Sequence, residues 1–147
     1  MTPEDVFQLA SGTAPLAWLA MIAAPDNRWV KRTVLSGAWV AMLASMYLLV
    51  VATHFNFTAA DFTTLEGVTA LLSDPWAMTA GWIHYLAFDL LAGVILTKKG
   101  SALGIARWQL LPCQLCTFML GPVGIVLFVA IAKAKGIQWS ALAIGQP

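Results

Sequence analysis

The sequence predicts an all-α membrane protein: a four-transmembrane-helix bundle with a short interfacial segment between helices 2 and 3, forming one integral-membrane domain over residues 1–147. Hydrophobic residues make up 60% of the chain and charged residues 10%, where a soluble domain carries about 25% charged residues. Four apolar stretches each approach the roughly 20 residues that cross a hydrocarbon core. The basic residues gather in the links between those stretches, as loop charges do in membrane proteins.

The first span is expected over residues 7–24; it stops before Pro25, and Gly12 and Pro15 predict a kink within it. The second covers residues 34–53, with only Ser36, Ser45, Tyr47 and Thr53 as weakly polar interruptions. The third covers residues 76–97 and the fourth residues 110–132, the latter interrupted by Pro112, Gly121 and Pro122. In the long link 54–75, apolar residues at 62, 65, 68, 71 and 72 have the spacing of a short helix lying at the interface. Such a segment serves either as a structural connector or as a lid over the bundle mouth.

Loop charge sets the expected orientation. Arg28, Lys31 and Arg32 follow span one, and Lys98, Lys99 and Arg107 follow span three, which assigns those links to the cytoplasm. Glu4, Asp5, Asp61, Glu66 and Asp74 then lie outside, as do both termini. Lys133 and Lys135 go against this assignment, because four crossings place them outside as well. The start Met1-Thr2-Pro3-Glu4-Asp5 lacks the basic opening of a secretory signal. The first span is therefore expected to be retained, as in a multi-pass protein of the bacterial inner (cytoplasmic) membrane. No basic block of the kind that grips nucleic acid is present.

Within span three, His84 and Asp89 are the ionisable residues of the membrane segments. A carboxylate at the centre of a spanning helix costs about 2.5–3.5 kcal/mol on insertion scales, so it faces protein or water rather than lipid. At about 100° per residue, five residues separate the two side chains by roughly 140°. They address different neighbours, or flank a pocket from two sides. Asp89 shares its face with Trp82, Tyr85, Ala92 and Gly93, and the small pair lets another helix come close. In a purely structural role, Asp89 accepts hydrogen bonds from Tyr47, Thr117 or Trp82, and His84 donates to a carbonyl freed at a kink.

Cys113 and Cys116 form a CxxC directly after Pro112. Such spacing at a helix start lowers thiol pKa values in redox proteins, yet the preceding link is assigned to the reducing side. A zinc site needs more ligands than these two, so the pair reads as two small apolar side chains, and neither metal nor cofactor is expected. In Leu120-Gly121-Pro122-Val123-Gly124, Pro122 cannot donate to the carbonyl of Phe118. Free carbonyls and close-packing glycines occur where helices break around a site, and also at ordinary packing kinks.

The run Gly81-Trp82-Ile83-His84-Tyr85-Leu86-Ala87-Phe88-Asp89-Leu90, followed by Arg107, Pro112 and Gly121-Pro122-Val123-Gly124, resembles the plant neoxanthin-synthase (abscisic-acid-deficient-four) membrane proteins and their bacterial relatives. The likeness is strongest over spans three and four. It implies four spans, a link to carotenoid and xanthophyll metabolism, and an intramolecular isomerase that opens an epoxide to an allene. Such a reaction needs an acid at the epoxide oxygen and a base at carbon. At the matching positions these are Asp89 and His84, with Trp82, Tyr85, Arg107, Gly121, Pro122 and Gly124 as substrate-binding residues.

The expected partners are a lipid-soluble polyene or isoprenoid substrate and membrane lipid, with assembly into a homo-oligomer left open. One competing reading is a non-catalytic protein that holds pigment or assists assembly. Another is a small transporter or proton-relay subunit.

Overall fold

The computed structural model describes residues 1–55 and 60–142, apart from the side chain of Trp139. Among these the chain is helical, without strands: α1 (Pro3–Ala23), α2 (Arg28–Thr33), α3 (Ala38–His54), α4 (Leu65–Leu72), α5 (Pro75–Ala102), α6 (Arg107–Leu120), α7 (Pro122–Ala134) and α8 (Trp139–Leu142). Two helices, α1 and α5, are long and apolar enough to cross a membrane; α3 and α7 are apolar but shorter.

Helix α1 starts earlier than the hydrophobic run alone suggests. Thr2 and Asp5 close a capping box, with Pro3 at the first helical position and Glu4 and Asp5 in the positive first turn. Its helical assignment continues through Pro15. The second apolar run divides: α2 forms after Asn27, whose side chain caps Trp29 N–H at 2.8 Å, and α3 begins only at Ala38. Gly37 causes the offset from the expected start at residue 34, because its φ of +88° lies outside helical geometry. Helix α5 outruns the expected 76–97 at both ends. Asp74 caps it by accepting from Trp76 and Ala77 N–H, both at 2.9 Å, with Pro75 at the first position.

At 28 residues and about 1.5 Å per residue, α5 is about 42 Å long and forms the spine of the bundle. Helix α1 runs parallel to it: Thr79 donates to the Pro3 carbonyl at 3.4 Å, Trp82 Nε1 to Ser11 Oγ at 2.8 Å, and the Trp18 ring fills the space left by Gly93. Helix α3 runs antiparallel, with His54 stacked on Trp76 at 3.6 Å and Tyr47 edge-on to His84 at 5.5 Å. Ala14, Ala17, Trp18 and Met21 of α1 and Ile83 and Leu90 of α5 belong to the principal core. Small residues let these helices approach closely enough for large ones to interlock.

Over the expected fourth span, residues 110–132, the chain does not form one continuous helix. It forms two short helices folded back on each other. A Cβ added at Gly124 would strike the Thr117 side chain and the Cys113 carbonyl. In a continuous helix those residues would be about 10 and 16 Å away along the axis. Leu110, Cys113, Phe128 and Ala132 share a second core with Leu96 and Ile105. Helix α6 therefore climbs antiparallel to α5, from Leu110 over Gly100 and Gln114 beside Thr97 to Met119 beside Tyr85. Helix α7 then descends. The reversal sits at Gly121, where φ +49° and ψ −99° continue no helix and Pro122 opens the next one.

This hairpin also sets the end of the bundle at which the C-terminal lysines lie. Helix α7 returns toward the end of the bundle where α6 begins, so Lys133 and Lys135 join the other six basic residues rather than opposing them. Arg107 and Lys31 both pair with Asp26, at 2.8 and 3.3 Å, which ties the start of α6 to the α1–α2 link at that same end.

At the other end, α4 appears where the apolar spacing placed it. Thr64 caps Gly67 N–H at 3.0 Å, and Asp61 accepts from Thr63 N–H, Thr63 Oγ1 and Thr64 Oγ1. Leu65 and Phe62 are exposed. Part of the link 54–75, residues 56–59, lies outside the described residues.

Candidate functional site

Asp89 lies midway along α5, facing the tip of the α6–α7 hairpin. A Cβ added at Gly121 would stand 2.8 Å from Asp89 Oδ1, so any larger residue here would displace the carboxyl group. Gly121 is thus favoured by its positive φ, and its missing side chain leaves the carboxyl group undisturbed. Asp89 Oδ2 is buried without a hydrogen-bond partner among the described residues. A buried polar oxygen left unpaired costs on the order of 1–3 kcal/mol, so such an atom calls for an explanation, a role in chemistry being one.

The structural partners considered for Asp89 are engaged elsewhere or face away. Thr117 donates to the Cys113 carbonyl at 2.8 Å, Trp82 to Ser11, and the Tyr47 ring meets His84. Tyr85, one turn before Asp89, is its polar neighbour, with its hydroxyl in hydrogen-bonding reach of the carboxyl group, while Oδ2 stays unpaired. The Tyr85 hydroxyl donates to the Met119 carbonyl at 3.3 Å. That carbonyl belongs to the last turn of α6, where the helix leaves acceptors unused. The break therefore exposes the Met119 carbonyl to Tyr85, while the Thr117 carbonyl takes Gly121 N–H at 2.9 Å.

His84 is exposed on the α3 side of α5, its ring stacked on Phe88 at 4.5 Å and edge-on to Tyr47. The angular separation read from the sequence is realised. His84 and Asp89 have different neighbours, and neither lines the cavities described for the molecule.

The other sequence-selected residues divide by position. Tyr85 and Gly121 stand beside Asp89, and Pro122 follows Gly121 as the first residue of α7. Trp82 stands two turns before Asp89, with its ring 5.5 Å from both Tyr85 and Phe7, and joins α1 to α5. Gly124 packs inside the hairpin, and Arg107 lies at the far basic end. Cys113 is buried in the α6–α7 interface, while Cys116 is partly exposed, and both are free thiols. Among the described residues no group of His, Cys, Asp and Glu side chains is arranged to hold a metal.

Sequence reading missed a cavity of about 710 Å³ at the basic end. Leu35, Ile105 and Leu110 form its apolar wall, and Thr97 and Gln114 its polar floor, joined by Gln114 Nε2 donating to Thr97 Oγ1 at 2.7 Å. Asp26, Lys31, Lys98 and Arg107 border it. The sequence signal was the cluster of basic residues, which served only to orient the spans.

A family model described as ABA4-like, ABA DEFICIENT 4-like, matches residues 5–128. That stretch includes Asp89, its Tyr85 neighbour and the whole hairpin tip. No curated protein and no solved structure matches the chain.

Proposed function

The chain belongs to the ABA4-like family, and we propose that it is an isomerase-like membrane protein of carotenoid or xanthophyll metabolism whose reacting group is Asp89 at the hairpin tip. The observation that carries this reading is the buried, unpartnered Asp89 Oδ2 beside a helix reversal.

In this account α1, α3 and α5 cross the membrane, and α6–α7 enters from one side and turns back near mid-depth. All eight Lys and Arg residues then lie at one end, which the positive-inside tendency assigns to the cytoplasm. Glu4, Asp5, Asp61, Glu66 and Asp74 lie at the other end. Non-helical backbone at membrane depth is tolerated where protein buries it or where it lines a cavity, and Gly121 meets that condition by packing on α5. Exposed Leu16, Leu19, Leu48, Leu49 and Val126 suit a surface solvated by lipid tails.

Opening an epoxide to an allenic alcohol places one proton on oxygen and removes one from carbon. One carboxyl group can perform both transfers in turn: the acid form donates to the epoxide oxygen, and the carboxylate then takes the carbon-bound proton and is regenerated. Tyr85 holds the hairpin tip in register with Asp89 through Met119. Because His84 faces α3, it takes the second proton only from a substrate that wraps around α5.

The test is expression of the full chain in a host that makes epoxy-carotenoids, with chromatography of extracted pigments. The account predicts a new pigment of unchanged mass and its loss, by about 100-fold or more, in Asp89→Asn protein that inserts normally. Retained activity in His84→Ala assigns both transfers to Asp89, and its loss assigns the base to His84. A second reading, a protein that holds pigment without converting it, draws on the separation of His84 from Asp89. It predicts a co-purifying polyene, no new isomer, and tolerance of Asp89→Asn.

A further inference from the structure

We propose that the cavity at the basic end binds a lipid bearing an anionic phosphate head, independently of any reaction at Asp89. Its composition changes with depth. Leu35, Ile105 and Leu110 are nearly solvent-free in its wall, at 9%, 4% and 5% exposure. At the mouth stand Lys31, Lys98 and Arg107 against a single carboxylate, Asp26, so the mouth carries a net charge of +3 − 1 = +2. Hydrocarbon is the one ligand surface that the wall leaves without unpaired polar groups, and a phosphate is the head that the mouth complements.

The Asp26 ion pairs preorganise this mouth. Asp26 holds Arg107 at 2.8 Å and Lys31 at 3.3 Å, with both cations more than half exposed. They converge from α2 and α6 while keeping donors available, since a guanidinium has five N–H groups. Lys98 comes from α5, so the head would be gripped by three separate helices. The Thr97–Gln114 pair at the floor is already satisfied, which favours a tail over a second polar group at that depth. About 710 Å³ lies within the range of small-molecule sites. Lys98 is nine residues from Asp89, about 13 Å along α5, so occupancy here does not depend on the proposed chemistry at Asp89.

The test titrates purified full-length protein in a zwitterionic detergent with dioctanoyl phosphatidic acid, dioctanoylglycerol and inorganic phosphate, read by calorimetry. One saturable phosphatidic-acid site is expected, at least tenfold tighter than dioctanoylglycerol and than inorganic phosphate, and weakened by added salt. Lys98→Gln and Arg107→Gln should each weaken it about tenfold, and Arg107→Lys should restore part of the loss. Lys98 forms none of the Asp26 pairs, so Lys98→Gln tests the site even if Arg107→Gln fails to fold. Equal binding of dioctanoylglycerol would overturn the role of the charged mouth, and equal binding of inorganic phosphate the role of the apolar wall. Unchanged affinity in Lys98→Gln would overturn the site itself.

Discussion

Asp89 and Gly121 form a pair in which each explains the other's neighbourhood. The carboxyl group needs a neighbour without a side chain, and the reversal needs a residue that accepts φ +49°. Gly121→Ala should therefore be penalised for both reasons. A left-handed backbone alone costs an L-residue roughly 1–2 kcal/mol, and the new methyl would press on Asp89 Oδ1. The expected outcome is a fall in the apparent Tm of purified protein, together with reduced pigment conversion. Asp89→Gly in the same background should recover part of the Tm and none of the conversion. The sequence made Asp89 legible because a carboxylate inside an apolar run has few explanations. It did not reveal Asp89's neighbour, since spacing along α5 says nothing about which helix reaches it. His84 was equally visible, but its surroundings, Tyr47 and Phe88, are aromatic.

At the scale of elements, hydropathy located the apolar runs but not their reversals. Gly121-Pro122 was visible as an interruption, and a kinked span and a tight hairpin interrupt a hydrophobic run in the same way. What distinguishes them is Gly124, whose missing side chain admits α6 against α7. Gly124→Leu should prevent closure of the hairpin, since its obstacles are the Thr117 side chain and backbone atoms. A destabilisation of at least about 2 kcal/mol is expected from such overpacking, measured as loss of folded protein on denaturant titration.

The turn leading into α4 carries its own pH dependence. Hydrogen bonds from the Thr63 side chain, then the Thr63 backbone, then the Thr64 side chain hold the Asp61 carboxyl below its ordinary value. The contribution of this turn is therefore complete above the ordinary carboxylate range and is lost as pH falls through the lower folded value. Amide exchange at Thr63 and Gly67 should accelerate under acid, and Asp61→Asn should show faster exchange already at neutral pH.

For the whole molecule, the discrepancy left by four crossings has a physical resolution. In the proposed arrangement of three crossings and a hairpin, the two lysines join the other basic residues at one end without moving any other element. The all-helical class, the short helix α4 and the acidic and basic ends were legible in composition and spacing. The cavity at the basic end was not, because its lining comes from α1, α2, α5 and α6 and from the links between them. Only the packed fold brings those residues together.

The proposed re-entry of the α6–α7 hairpin underlies both the Asp89 site and the orientation, so sidedness tests the account most directly. In a background with Cys113 and Cys116 replaced by alanine, single cysteines at positions 28, 66 and 135 would be exposed to a membrane-impermeant maleimide in intact cells. The account predicts labelling of Glu66→Cys from outside, and of Arg28→Cys and Lys135→Cys only after the membrane is opened. Labelling of Lys135→Cys from outside, with Arg28→Cys protected, would contradict it and restore a fourth crossing.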